Sequence, residues 1–205
     1  MVSPPYPPAL QPMIDASGDP VRYTALSLAL HRIARENVPG AMAEVGVYKG
    51  DTSRFLRRAR PDRTLYLFDT FEGFPETDLE RPDARFQDGG IDFVARRIGT
   101  TDGVVFRKGY FPSTAVGLED ERFAFVLLDA DLFAPTAAGL EFFYSRMSPG
   151  GYLVLHDYNN PESDWGVSRA ADPFFANKPE HLVDVGDRWG SVMIRKCALA
   201  ESPAQ

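Results

Sequence analysis

A repeated rhythm from Ala41 onward constrains the fold of this chain more than any other feature. Short apolar runs alternate with turns and then with amphipathic segments, which is typical of parallel strands joined by crossover helices. The predicted strands are Ala41–Val47, Thr64–Asp69, Val104–Lys108, Phe123–Leu128 and Gly151–His156. The predicted helices lie near Asp51–Ala59, Ile91–Ile98, Pro135–Met147 and Val167–Asn177. The pattern predicts an α/β fold with helices on both faces of a mostly parallel sheet.

The last part of the chain breaks this rhythm. Between His181 and Lys196 the sequence HLVDVGDRWGSVMIRK has two apolar runs, separated by Gly186, Asp187 and Gly190, with no room for a helix between them. Such a segment predicts an antiparallel pair of strands. A seven-stranded, mostly parallel, Rossmann-like sheet that ends in an antiparallel hairpin is the arrangement of class I methyltransferases, and we expect that fold.

The N-terminal arm is rich in proline. The prolines within the first 20 residues of the chain are Pro4, Pro5, Pro7, Pro8, Pro12 and Pro20. We expect an extended or disordered arm without a regular helix, with draping over a partner subunit as the alternative. A helix is predicted from Asp19, an acidic N-cap followed by proline. The predicted organisation is an arm at 1–18, a single domain at 19–196 and a tail at 197–205, because 205 residues suffice for one sizeable core.

Charge and cysteine content narrow the class of partner. The formal net charge is −7, whereas proteins that bind nucleic acid usually carry a basic face. The single cysteine, Cys197, cannot form an internal disulfide, and the sequence has neither a charged-then-apolar leader nor an apolar run of about 18 residues. We expect a cytoplasmic protein that acts on a small molecule, without nucleic-acid or membrane partners, as a monomer or a homo-oligomer.

The predicted strand ends are chemically rich. In open α/β sheets, ligands bind at the carboxyl ends of the strands. The first strand runs into EVGVYKGDTS, where Gly46 and Gly50 allow a ligand to approach the backbone closely. About 20 residues further on, Asp69 ends the second strand, where an acidic side chain can accept hydrogen bonds from both ribose hydroxyls. This pairing predicts a nucleoside-containing cofactor, and without G-x-G-x-x-G it leaves NAD(H) and S-adenosylmethionine open.

Five longer motifs distinguish between these two candidate cofactors. They are LYLFDTFEGFPETD (Leu65 to Asp78), KGYFPST (Lys108 to Thr114), LLDADLFAPT (Leu127 to Thr136), SPGGYLVLHDY (Ser148 to Tyr158) and WGVSRAADPFF (Trp165 to Phe175). Together they resemble the macrocin O-methyltransferase family, whose members depend on S-adenosylmethionine and a metal and methylate sugar hydroxyls of antibiotics. The resemblance spans about Glu44 to Phe175. It implies an S-adenosylmethionine-dependent O-methyltransferase.

The resemblance also implies a set of cofactor contacts. It assigns the methionine end to Glu44, Gly46, Tyr48 and Thr52, the ribose to Asp69 and Thr70, and the adenine side to Gly109 and Tyr110. Structural alternatives stay open at this stage. Glu44 is equally suited to a buried ion pair, and Tyr110 and Phe111 to an aromatic core.

Two carboxylates follow the buried fourth strand in FVLLDADLFAPT. An alkyl hydroxyl is protonated at neutral pH, so methylation of its oxygen needs a base, a metal ion that acidifies it, or both. The resemblance implies that Asp129 is a metal ligand and Asp131 a general base. Asp157, at the next strand end, adds the carboxylate oxygen that hard cations prefer. The structural alternative for Asp131 is a helix N-cap, although the cap itself is expected at Ala134 or just before Pro135 rather than at Asp131.

The chain departs from the family at His156-Asp157, where relatives usually have two adjacent acidic residues. Three roles for His156 stay open. It can be a metal ligand, which would favour Mn, Fe, Co or Zn over Mg; it can be a general base that needs no metal; or it can be structural.

The acceptor is less constrained than the reaction. The loop from Glu72 to Gly90 is polar, which is equally typical of a lid and of an ordinary solvated loop. Aromatic residues expected near the rim are Phe74, Phe86, Tyr144, Tyr158 and Trp165. They leave a phenol- or catechol-type acceptor, or a metal-independent reaction, as the alternative to a natural-product sugar. A non-enzymatic alternative is a degenerate methyltransferase fold that serves as a partner protein.

Overall fold

A computed structural model of the protein describes residues 6–75 and 83–198. Pro4, Pro5, part of the expected lid loop, the end of the DTFEGFPETD motif and most of the expected C-terminal tail lie outside these residues. The strands are β1 (Ala41–Val45), β2 (Leu65–Asp69), β3 (Val104–Lys108), β4 (Phe123–Leu128), β5 (Met147–Leu155), β6 (Val183–Val185) and β7 (Ser191–Arg195). The helices are α1 (Gln11–Asp15), α2 (Pro20–Arg35), α3 (Asp51–Ala59), α4 (Ile91–Ile98), α5 (Phe133–Tyr144) and α6 (Gly166–Phe175).

All seven strands form one sheet in the order β3-β2-β1-β4-β5-β7-β6. Strands β1 to β5 pair in parallel, whereas β7 pairs antiparallel with both β5 and β6. The predicted fold class is therefore confirmed. The main boundary error is at β5, which begins at Met147 rather than Gly151, because Met147 pairs with Phe123 before an irregularity and the ladder resumes at Tyr152.

The core lies on both faces of the sheet. Strand β4 is buried along its whole length. Its side chains divide between the two faces: Phe123 packs towards α5 and α6, and Phe125 packs in the cluster that includes α2, α3 and α4. Burial on both faces explains the continuous apolar run of β4, since neither face of the strand meets water.

The N-terminal arm differs from its prediction. Residues Pro8–Leu10 form a short 3-10 helix that continues into α1. Leu10 and Ile14 are only 1% and 2% exposed and pack in the same core cluster as Leu30 and Phe55. The expectation of an extended or disordered arm is wrong for residues 8–15, because proline is tolerated in the first turn of a helix, and burial of two apolar side chains stabilises the segment.

The carboxyl ends of β1, β2, β4 and β5 meet at one edge of the sheet, where ligands bind in folds of this class. One residue just beyond each of these four ends has a left-handed backbone, with φ of +49° at Tyr48, +58° at Phe71, +59° at Asp131 and +57° at Asp157. Sharp bends at these residues mark the edge as a candidate site, because such conformations collect at functional sites. Among the described residues, no helix has the length and apolar content required to cross a membrane.

Candidate active site

A cavity of about 470 Å³ opens at this edge of the sheet. Its volume falls within the range of about 300–1,000 Å³ typical of small-molecule sites. The predicted site residues that line it are Glu44, Gly46, Tyr48, Thr52, Asp69, Thr70, Gly109, Tyr110, Asp129, Asp131, His156 and Asp157. The structure therefore brings the whole predicted set to one cavity.

The turn after β1 requires glycine for a reason that the sequence does not reveal. Gly46 has a φ of +88°, and a Cβ at this position would lie 2.0 Å from the backbone oxygen of Asp129. Any side chain would therefore force the loops after β1 and β4 apart. Gly46 therefore allows the turn after β1 to lie directly against the backbone of Asp129.

Asp69 fastens the turn after β1 to the end of β2. Its Oδ2 accepts hydrogen bonds from the backbone N–H of Val47 at 2.6 Å and of Tyr48 at 2.9 Å, and its Oδ1 accepts from Phe71 N–H at 2.6 Å. The hydroxyl of Thr70 donates to the backbone oxygen of Gly73 at 2.5 Å. A carboxylate has about four acceptor sites. Asp69 therefore organises the loops around the cavity and keeps little capacity for a ligand.

Glu44 is the most deeply buried acid of the cavity. It is 1% exposed and accepts a hydrogen bond at 2.5 Å from the hydroxyl of Ser53. Burial raises the pKa of Glu44 to about 8. Among the described residues Glu44 makes no ion pair, so the buried ion-pair alternative is not what the structure has. Thr52 meets the hydroxyl of Tyr23 at 3.2 Å, and Ser53 and Tyr23 are neighbours that the sequence analysis did not assign.

The far end of the cavity is formed by the segment after β3. Gly109 donates its N–H to the backbone oxygen of Asp69 at 2.9 Å, and Tyr110 is partly exposed against the cavity. Phe111 also lines the cavity but is only 5% exposed, and its ring packs in the core against Phe68 at 5.4 Å and Phe143 at 5.6 Å between centroids. The two aromatic neighbours thus have different environments.

Opposite the glycine turn lies the acidic cluster, defined as Asp129, Asp131, His156 and Asp157. His156 Nδ1 is 2.9 Å from Asp129 Oδ1 and 2.7 Å from Asp157 Oδ2. Asn160 donates to the other oxygen of Asp157 at 3.1 Å. The imidazole is therefore hydrogen-bonded to Asp157 and in ion-pair contact with Asp129.

These contacts shift the protonation of the cluster. Burial works to raise the pKa of Asp129, but Arg22 and His156 outweigh it and hold that pKa well below its usual range. Burial works to lower the pKa of His156, but Asp129 and Asp157 outweigh it and raise the pKa to about 10. At neutral pH the pair Asp129–His156 is therefore ionised, and His156 as found is a donor rather than a base.

Asp131 stands apart from that pair. Its pKa is raised to about 7 by burial and by the nearby carboxylates of Asp157 and Asp129. Ser163 donates its hydroxyl to Asp131 Oδ1 at 3.2 Å. The N-cap of α5 is Leu132, without a side-chain cap bond, so the alternative of Asp131 as a helix cap and the expected cap at Ala134 are both wrong. Asp131 is a buried carboxyl poised to exchange a proton near neutral pH.

The donor atoms of Asp129, His156 and Asp157 lie within 4.8 Å of one another. One imidazole nitrogen and two carboxylate oxygens suit a divalent cation such as Mn, Fe, Co or Zn. To act as a ligand, His156 Nδ1 must release the proton that it now shares with the carboxylates. The chemistry and spacing of this donor set fit a metal.

The aromatic rim differs in part from its prediction. Phe86 packs edge-on against Tyr48 at 4.9 Å and Phe74 at 5.0 Å, and all three line the cavity. Tyr144, Tyr158 and Trp165 are not among its lining residues. Tyr144 bonds to Glu180, Tyr158 bonds to Asp172, and Trp165 is half exposed at the start of α6.

Sequence reasoning also missed a basic residue of the site. The guanidinium of Arg22, in the first turn of α2, lies with Nη2 2.5 Å from Asp129 Oδ2. No local signal could have found this contact, because the two residues are 107 positions apart and nothing in the periodicity of α2 distinguishes Arg22 from its other arginines.

The model of one protein family matches residues 7–178, and that family is described as macrocin-O-methyltransferase (TylF). Two curated relatives are each 32% identical to this chain. One is an 8-demethyl-8-(2,3-dimethoxy-alpha-L-rhamnosyl)-tetracenomycin-C 4'-O-methyltransferase of Streptomyces olivaceus, aligned over 67% of this chain and 60% of its own length. The other is a mycinamicin III 3''-O-methyltransferase of Micromonospora griseorubida, aligned over 68% of this chain and 63% of its own. The chain thus spans less than two thirds of either relative.

Solved structures agree on the fold. The O-methyltransferase NovP superposes with a TM-score of 0.73 at 21% identity, over 87% of this chain and 81% of NovP. The calicheamicin methyltransferase CalS11 superposes with a TM-score of 0.63 at 21% identity, over 91% of this chain and 90% of CalS11.

Proposed function

Because this chain belongs to the macrocin O-methyltransferase family, we propose that it transfers a methyl group from S-adenosylmethionine to a hydroxyl of a small molecule in the cytoplasm, such as a natural-product sugar. The main support for this proposal is the shape of the cavity. A single cavity joins the glycine turn after β1 to the acidic cluster after β4 and β5. Methyl transfer needs both halves together, since the donor and the acceptor oxygen must meet in line.

When bound, S-adenosylmethionine supplies an electrophilic methyl group on a sulfonium. We assign its methionine end to Glu44, Gly46, Tyr48 and Thr52, its ribose to Asp69 and Thr70, and its adenine side to Gly109 and Tyr110. The buried Glu44 is suited to an ammonium partner, because a nearby cation would favour its ionised form. For Asp69, the hydrogen bonds from three backbone N–H groups favour shaping the ribose pocket over binding both hydroxyls.

Asp131 is proposed as the general base. Its pKa of about 7 places it near the optimum for accepting a proton at neutral pH, and Ser163 orients the carboxyl. His156 is less suited to that role, because its two carboxylate partners keep its proton. The acceptor hydroxyl would therefore donate its proton to a carboxylate oxygen of Asp131.

We further propose Asp129, His156 and Asp157 as ligands of a divalent metal. The support is the spacing of their donor atoms. A divalent cation held there would supply Lewis acidity to the acceptor oxygen. The nitrogen ligand favours Mn, Fe, Co or Zn over Mg.

The names of the relatives support a glycosylated natural product as the acceptor. They describe O-methylation in a rhamnosyl tetracenomycin, in mycinamicin III and in demethyldecarbamoylnovobiocin. A phenolic acceptor is the second candidate, favoured by the rings of Phe74 and Phe86 at the rim.

The test combines binding and turnover. S-adenosylmethionine and S-adenosylhomocysteine are titrated calorimetrically into the protein, and methyl transfer is followed by mass spectrometry with deoxysugar glycosides and catechols as acceptors. Asp131→Asn should lower kcat about 10²- to 10⁴-fold with unchanged cofactor affinity. The exposed Asp120→Asn is the matched control and should keep full turnover.

Two results would contradict the proposal. A protein that binds neither S-adenosylmethionine nor S-adenosylhomocysteine would support the partner-protein alternative. Full turnover by Asp131→Asn would remove Asp131 from the role of base while leaving the transferase activity intact.

A further inference from the structure

The contact between Arg22 and Asp129 brings a fixed positive charge onto a proposed metal ligand. The pair is largely buried, with 12% and 18% of the two side chains exposed. Arg22 cannot lose its proton under ordinary conditions, because the pKa of arginine lies above about 12. Whatever else binds at Asp129 must do so beside a guanidinium.

The start of α2 holds Arg22 in place. Asp19, the N-cap of α2, accepts a hydrogen bond from Arg22 N–H at 3.1 Å, and its other oxygen accepts one from Arg188 N–H at 2.8 Å. The backbone of Arg22 is thereby tied to the turn between β6 and β7. Its side chain reaches Asp129 from an anchored helix end rather than from a free loop.

Asp129 is shared between two partners on opposite oxygens. Its Oδ2 faces Arg22 at 2.5 Å, and its Oδ1 faces His156 Nδ1 at 2.9 Å. Arg22 therefore has two opposing effects on a metal at Oδ1. It fixes the orientation of the carboxylate, which favours binding, and it places a positive charge one carboxylate away from a dication, which disfavours binding.

We expect the charge effect to be the larger of the two. Loss of an orienting partner typically costs about 10- to 100-fold in metal affinity. Repulsion across a single buried carboxylate acts on both charges of the metal with little screening. The backbone of Asp129 would still be held if Arg22 were neutral, because its N–H donates to the backbone oxygen of Val45 at 2.8 Å.

We propose that Arg22 is an internal counter-cation that competes with a divalent metal for the charge of Asp129, so that this chain binds its metal weakly and keeps Asp129 neutralised without one. The inference rests on the metal ligands assigned in the proposed function. It makes Arg22 a positioning and selectivity residue rather than a catalytic one.

Manganese is the probe for this inference. Chelator-treated wild type, Arg22→Met and Arg22→Lys are titrated with MnCl₂ by calorimetry, and free Mn²⁺ is counted in parallel from its electron paramagnetic resonance signal. Arg22→Met keeps the aliphatic stem and removes the charge, so we expect Mn²⁺ to bind at least about tenfold more tightly. Arg22→Lys keeps a cation and should stay within about threefold of wild type.

The control is Arg32→Met on the same helix, where the arginine is exposed and pairs with Glu36. It should bind Mn²⁺ as the wild type does. Circular dichroism and thermal unfolding establish that each variant is folded, and Arg22→Gln replaces Arg22→Met if the latter is not.

Unchanged or weaker Mn²⁺ binding by a folded, neutral variant would overturn the inference and make Arg22 an orienting partner only. Failure of both wild type and neutral variant to bind Mn²⁺ would overturn it together with the proposed metal ligands. S-adenosylhomocysteine binding by the wild type, measured separately, shows in either case whether the transferase proposal stands.

Discussion

Two groups of buried charges lie at opposite sides of this fold, and they are built differently. In the hairpin cluster, defined as Tyr144, Glu180 and Lys196, one oxygen of Glu180 accepts from Lys196 Nζ and from Cys197 N–H, each at 2.9 Å. The other accepts from the hydroxyl of Tyr144 at 2.5 Å. One anion meets one cation there, and each oxygen has a donor.

The acidic cluster has a surplus of carboxylates instead. Arg22 and His156 balance Asp129 and Asp157, and Asp131 is left without a cation of its own among them. This surplus raises the pKa of Asp131. Burial works to raise the pKa of Glu180 as well, but the hydrogen bonds from Tyr144 and Lys196 outweigh it, so the pKa of Glu180 is lowered. A buried ion pair alone says little about function. An unmatched carboxyl that faces a cavity is the informative feature.

The largest effect on stability is expected in the hairpin cluster. Glu180→Ala leaves the ammonium of Lys196 buried without its partner, and the free energy of unfolding should fall by about 3 kcal/mol in urea titrations. Cofactor affinity of the folded protein should not change. The double variant Glu180→Gln/Lys196→Met should recover most of the loss, because it removes both charges. A loss below about 1 kcal/mol in the single variant would show that water already screens this pair.

Removing the charge of Glu44 is expected to stabilise the protein, whereas Glu180→Ala destabilises it. Its pKa is about 8 in the folded protein and about 4.5 in the unfolded chain. Between these values the unfolded chain releases a proton that the folded protein keeps, so the free energy of unfolding falls as pH rises from about 4.5 to 8. Glu44→Gln removes this dependence. The variant should exceed the wild type by about 1–3 kcal/mol at pH 8, and the difference should shrink towards pH 5.

Urea unfolding at several pH values checks the Glu44 prediction, with the exposed Glu141→Gln as control. Parallel pH profiles of Glu44→Gln and wild type would show that Glu44 is ionised in the folded protein. Glu44 would then resemble Glu180 rather than the acidic cluster.

The smallest effect is expected for Tyr144→Phe. The ring, which lies 3.8 Å from Lys196 Nζ, stays in place, and only the hydroxyl that donates to Glu180 is lost. The free energy of unfolding should fall by about 1 kcal/mol. A loss as large as that of Glu180→Ala would mean that the hydroxyl, rather than the ion pair, holds the hairpin cluster together.

Sequence periodicity predicted the sheet well because each strand is short, apolar and bounded by turn residues. The limits of β3, β4, α3 and α4 are as predicted. The prediction for the N-terminal arm was wrong because proline content is a local signal, whereas the conformation of the arm depends on the burial of Leu10 and Ile14 in the core. Local rules do not contain that information.

The site was predictable where it follows from topology. Asp69, Asp129 and Asp157 come together because parallel strands end at a common edge. Arg22 and Ser163 were not predictable, because they reach the acidic cluster from α2 and from a short 3-10 helix, whose placement depends on tertiary packing.

The buried N-terminal segment has a practical consequence for anyone who produces this protein. Its prolines invite trimming of the gene at residue 18, as if the preceding codons encoded a dispensable leader. A clone shortened in this way would lack Leu10 and Ile14, two of the most deeply buried side chains. Asp19, which caps the helix that carries Arg22, would then be the first residue of the chain. An expression plasmid should therefore begin upstream of Pro8, with any affinity tag placed ahead of it.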